Sequence, residues 1–215
     1  MASRKTLVIE IILVCMTALG KFIFMDWLKW KLPFILVIII FWSWYVWRRS
    51  KSDSNTLAHW GIRWDNFRHL VKRMLPFGVA ALLISVVVGY QVGTLNLTWH
   101  IIPILILYPI WGTIQQFLVI SLVAGNLQDL FPDKAKQPII LFVTAALFGL
   151  VHYPYGWLMV ATFALAFLYG YIFLRERNVF AMGLFHGWLG AIFFYTVVGR
   201  DPYLEIFGSS FKILR

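Results

Sequence analysis

Four polar side chains lie inside apolar runs of this sequence, and they are of types that move protons or hold water. Gln115 and Gln116 sit side by side in Ile-Gln-Gln-Phe, and His152 closes Phe148-Gly-Leu-Val-His. His186 lies within Met182-Gly-Leu-Phe-His-Gly-Trp-Leu-Gly190. An imidazole titrates near neutrality and can serve as a base. A carboxamide cannot accept a proton at any reachable pH, but it holds water by hydrogen bonds. A polar group among lipid chains is costly unless it is paired, hydrated or turned to a protein interior. An interhelical hydrogen bond, worth on the order of 0.6–2 kcal/mol, explains any one of the four alone. The set together points to a site. Metal is disfavoured, because catalytic zinc takes three protein ligands and two imidazoles with a Gln fall short. No cofactor is implied.

The elements that must position these groups are long apolar helices. The chain has 215 residues, of which 61% are hydrophobic and 13% charged; a soluble domain has roughly 45–50% and about 25%. A bilayer core about 30 Å thick needs roughly 20 apolar residues in a helix. Seven spans follow, at about 6–25, 32–47, 75–91, 101–124, 139–152, 157–174 and 179–198, the fifth short enough to be tilted or buried among its neighbours. The expected class is an all-α integral membrane bundle. Counted at about 1.5 Å per residue from the span ends, Gln115, Gln116, His152 and His186 can share one level. Gly183, Gly187 and Gly190, and Gly149 beside His152, would admit a neighbouring helix closely.

The net charge of +10 fits basic loops against anionic lipid better than nucleic acid, which is not an expected partner. Arg48, Arg49, Lys51, Arg63, Arg68, Lys72 and Arg73 lie in one connecting segment, while the stretches 93–100 and 153–156 hold no Lys or Arg. That bias predicts a multi-pass protein of the cell membrane with its N-terminus cytoplasmic. Residues 48–73 read as an amphipathic stretch on the inner leaflet. Trp27, Trp30, Trp42, Trp44, Trp47, Trp99 and Trp157 read as interfacial anchors. The single Cys15 excludes an internal disulfide. Arg4 and Lys5 lead into an apolar run without a cleavage pattern, so a retained first span is expected. Glu10 reads as a helix-end polar residue, and Asp129 and Asp133 as solvated loop charges.

The motif-bearing residues resemble the CPBP (Abi) family of CAAX prenyl proteases and bacteriocin-processing membrane proteins. That family carries EExxxR, FxxxH and HxxxN on successive core helices. Phe148 to His152 matches the second motif, and His186 begins the third after a family-like run, Phe167-Leu-Tyr-Gly-Tyr-Ile-Phe-Leu-Arg-Glu-Arg-Asn178. The likeness covers roughly residues 101–198. Gln115 and Gln116 stand where the family has paired glutamates, Ile120 at its arginine and Gly190 at its asparagine. The resemblance implies that Gln115 or Gln116 holds a water with His152. It further implies that His186 stabilises an oxyanion, with Phe148 and Gly190 lining the substrate site. The implied division is residues 1–100 as N-terminal helices with a basic loop, 101–198 as core and 199–215 as tail.

Peptide hydrolysis needs a proton acceptor for water and a donor for the oxyanion. Losing a positioned base costs about 10²–10⁴ in rate. The expected protein is therefore a CAAX-protease-like homologue that acts on or binds a membrane-associated peptide or lipidated protein, with doubtful hydrolysis. An endopeptidase using His152 alone as base stays open. So does a transporter or assembly partner without enzymatic activity.

Overall fold

A computed structural model describes residues 2–53 and 55–212. Among them no strand occurs; every regular element is helical. Helix α1 spans Arg4–Gly20 and passes into a π-helical segment at Lys21–Trp27. It starts where the Ser3 hydroxyl accepts the Thr6 amide at 3.2 Å, satisfying one orphan donor of the first turn. Then follow α2 (Lys31–Ser52), the single turn α3 (Thr56–His59) and α4 (Phe67–Val92). Next come α5 (Ile101–Gln116), a π segment at Phe117–Gly125 and α6 (Asn126–Leu130). Helices α7 (Gln137–Leu150) and α8 (Gly156–Glu176) follow. Last are α9 (Val179–Phe193), a π segment at Phe194–Val198 and α10 (Pro202–Lys212).

Six of the described helical stretches are long and apolar enough to cross a membrane: Arg4–Trp27, Lys31–Ser52, Phe67–Val92, Ile101–Leu130, Gly156–Glu176 and Val179–Val198. They display Ile12, Met16, Leu19, Ile40, Ile84 and Ile106 at 52–69% exposure, apolar surface that suits lipid and not water. The protein is an all-α, multi-pass membrane protein. The expected fifth span is α7, whose 14 residues measure about 21 Å, short of the apolar core.

Two compact units divide the chain. The first comprises Met1–Trp64 and Gln115–Val179, the second Asp65–Ile114 and Phe180–Arg215. In the first, all nine residues of the π segment Phe117–Gly125 are buried. The segment packs against α1, α7 and α8, so it is this unit's central strut. In the second, Ile104, Ala191 and Tyr195 form a fully buried cluster with Tyr108 and Tyr203 against it. Gly93 and Gly199 adopt φ of +72° and +66° to end α4 and the last π segment, where an L side chain would be strained.

Some sequence readings need correction. The 48–73 stretch is not one surface helix: Arg48–Ser52 end α2, a turn follows, and Phe67 already begins α4. Trp60 is 2% exposed and stacks on Tyr45, so its indole serves packing and not the leaflet. Trp42 is likewise 2% exposed; it donates to the Thr17 hydroxyl at 3.3 Å and meets the Phe117 ring edge-on. It is no interfacial anchor. Trp27, Trp30, Trp44, Trp47, Trp99 and Trp157 are 47–77% exposed, as anchors would be.

Candidate functional site

Helix α7 starts with Pro138 in its first turn, where the missing N–H costs nothing. Its hydrogen bonding runs on past Leu150, through the Val151 amide to Leu147 at 3.1 Å and the His152 amide to Gly149 at 3.0 Å. This extra turn carries His152 onto the same face as Phe148. His152 Nδ1 lies 2.7 Å from the Phe148 carbonyl oxygen. A carbonyl only accepts, so Nδ1 bears the proton and the neutral ring keeps its lone pair on Nε2. The two rings meet edge to face with centroids 4.9 Å apart. Phe148 is 1% exposed, so it fixes the imidazole from beneath. Gly149 lets α8 come close; a Cβ there would lie 3.0 Å from the Met159 carbonyl oxygen.

Gln115 and Gln116 end α5, and the coil widens to π geometry at the next residue. Gln115 is half-buried. Gln116 is fully buried, and neither atom of its carboxamide has a hydrogen-bond partner among the described residues. Ile120, where the family motif has arginine, is fully buried in the π segment. These residues, with Phe148 and His152, belong to the first unit.

His186 and Gly190 belong to the second unit, on α9. His186 is 8% exposed. A Cβ on Gly112 would come within 3.1 Å of its ring, so α5 lies directly against it. Gly183 and Gly187 make that approach possible. A Cβ on Gly183 would overlap Thr113, with the Thr113 nitrogen at 2.6 Å, and one on Gly187 would collide with Pro109. Gly190 differs, since nothing lies within 4 Å of a Cβ built there. Its lack of a side chain is not demanded by packing.

Sequence reasoning misread Glu10. It lies in the interior of α1, 0% exposed, and not at a helix end. The Tyr45 hydroxyl and the Asn126 carboxamide each donate to it at 2.7 Å, and Arg49 Nε stands 3.5 Å away as its counter-ion. A carboxylate in an apolar run is itself a signal of a functional or structural partner. Asp129 is also not a free loop charge: its carboxylate lies 2.7 Å from His59 and 3.4 Å from Arg177. Asp133 caps the 3-10 turn that follows it by accepting the Ala135 amide at 2.9 Å. Among the described residues, no group of three His, Cys, Asp or Glu side chains is placed to hold a metal ion.

The model of the Rce1-like family, type II CAAX prenyl endopeptidases, matches residues 94–192. No curated protein and no solved structure matches the chain. The matched segment contains Gln115, Gln116, Phe148, His152, His186 and Gly190, and leaves Glu10 outside.

Proposed function

Because residues 94–192 match the model of the Rce1-like family, type II CAAX prenyl endopeptidases, we propose that this chain is a membrane-embedded peptidase homologue that captures a membrane-associated peptide or a lipidated protein and cleaves it poorly or not at all. The observation that carries the reading is Gln116, a neutral carboxamide, buried and without a hydrogen-bond partner among the described residues, at a position where the resembled family has an acid. A carboxylate there takes a proton from the attacking water; a carboxamide only orients that water. In this reading His152 Nε2 faces the water. Phe148 supports His152. The N-terminus is placed on the cytoplasmic side of the cell membrane, in keeping with the basic segments.

The test is binding and cleavage measured together on the protein in nanodiscs, with a fluorescent prenylated peptide and a leader-type peptide. Saturable binding without product is expected. No saturable binding of either peptide would sink the proposal.

A second reading has its own support. The Phe148 carbonyl fixes the His152 tautomer that leaves Nε2 basic. A lone imidazole can then take the proton of water as it attacks the scissile carbonyl and pass it to the leaving amine. Product formation that vanishes in His152→Ala would favour this reading.

A further inference from the structure

Besides Arg49, whose Nε faces the Glu10 carboxylate, four buried polar side chains of the first unit have side-chain atoms without a hydrogen-bond partner among the described residues: Gln116, Ser121, Thr144 and Tyr169. All are at most 2% exposed. A buried polar group is costly when it is left unpaired, and four in one small bundle demand a common explanation.

The packing puts three of them at one level. Helices α7 and α8 run antiparallel through the turn at 151–155, and a Cβ on Gly170 would meet Leu141 Cδ2 at 2.8 Å. Thr144 lies about 4.5 Å from Leu141 along α7, toward that turn. The neighbour of Gly170 is Tyr169, whose side chain leans toward the N-terminus of α8, and so toward the same turn. Its phenol therefore ends near the level of Thr144.

Two reversals of the chain make α8 parallel to the π segment, and a Cβ on Gly125 would lie 3.5 Å from the Phe173 ring. Stepping four residues back on each element leads to Ser121 and to Tyr169, close to one turn in both cases. The π segment, α7 and α8 pack on one another. Ser121 thus lies about one turn from the level where Gly125 meets Phe173, and Gln116 one wide turn further along the same segment.

We propose that Gln116, Ser121, Thr144 and Tyr169 hold a file of ordered water molecules inside the first unit. The chemistry selects water. Three hydroxyls and a carboxamide are neutral, and each both donates and accepts. A buried water takes two to four such partners. The proposal does not rest on the peptidase reading, and neither measurement below involves cleavage.

The first measurement is the sign of a stability change. Removing a hydroxyl that binds ordered water destabilises the protein, whereas removing one left dry and unpaired is neutral or stabilising. Tyr169→Phe and Thr144→Val change shape little. In nanodiscs each is expected to lower the unfolding midpoint by a few degrees. A midpoint that stays or rises in both would overturn the water file.

The second measurement is X-ray hydroxyl-radical labelling read by mass spectrometry, which activates water beside the side chains it touches. Tyr169 is expected to be labelled several-fold faster in the unaltered chain than in Ser121→Ala/Thr144→Val. Tyr195, buried but donating to Asp201 at 2.8 Å, is the internal control. Tyr169 labelling that the double change leaves untouched counts against the proposal.

Discussion

The Asn126 carboxamide donates to the Glu10 carboxylate at 2.7 Å, joining residues 116 positions apart. Asn126 follows directly on the buried π segment that begins after Gln116. The same carboxylate receives the Tyr45 hydroxyl and faces Arg49, so it ties α1 and α2 to α6 at a single point. Removing one partner of a buried ion pair costs about 3–5 kcal/mol, since it strands the other charge. Glu10→Ala is expected to lose stability on that scale in denaturation of the reconstituted protein. Glu10→Gln keeps a single acceptor oxygen, so it can hold the bond from Tyr45 or from Asn126 but not both, and it leaves Arg49 uncompensated as well; it should lose most of the same stability. A Glu10→Gln variant as stable as the unaltered chain would contradict this.

A second expectation concerns the glycines of α9. Gly183→Ala sets a methyl group against Thr113, and Gly187→Ala sets one against Pro109; backbone lies in the way at both positions. Overpacking of this kind costs about 1–3 kcal/mol or more. Gly190→Ala meets nothing within 4 Å and should unfold with the unaltered chain. Thermal midpoints of the three variants check the contrast. A destabilised Gly190→Ala beside an unaffected Gly183→Ala would contradict the packing described for α9.

The loop before α5 and the start of α10 are held by Asp201. Its carboxylate sits 2.6 Å from His100 Nδ1, accepts the Tyr195 hydroxyl at 2.8 Å and accepts the Tyr203 amide at 3.0 Å. Burial pushes this carboxyl up, but the bonds from His100, Tyr195 and the Leu204 amide outweigh it and hold the group below the usual carboxylate range. A depressed folded-state value stabilises above the ordinary carboxylate pKa of about 3.9 and is lost as pH falls through the folded value. The protection of the Tyr203 and Leu204 amides against hydrogen exchange, relative to their intrinsic rate at each pH, should therefore fall in acid. Asp201→Asn should show weaker protection already at neutral pH, with little further change on acidification.

The long apolar helices were legible in the sequence because each of six runs is about a bilayer in length, and α7 was legible as the short one. Phe148 and His152 were placed together by a spacing of one helical turn, and Gly183 and Gly187 by small-residue packing. Each of these signals is local. Glu10 and Trp42 were misread because their partners, Asn126 and Phe117, lie far away in the chain. Nothing within one turn of either residue reveals a buried partner. The 53–66 connection was misread for another reason: its apolar residues alternate with charges, yet Trp60 turns inward onto Tyr45. The π geometry that begins at Phe117 has no sequence signature at all, since its residues are as apolar as those of an ordinary helix.

The claim that a carboxamide stands in the place of a general base is tested most directly by putting the acid back. Cleavage of a prenylated peptide is measured for the unaltered chain, Gln115→Glu, Gln116→Glu and the double change, each with and without His152→Ala. The expected result is background turnover in the unaltered chain. At least one glutamate variant should gain about 10²-fold or more, the scale of a positioned base, and His152→Ala should abolish that gain. An unaltered chain that already cleaves as fast as its glutamate variants, through His152, would contradict the claim.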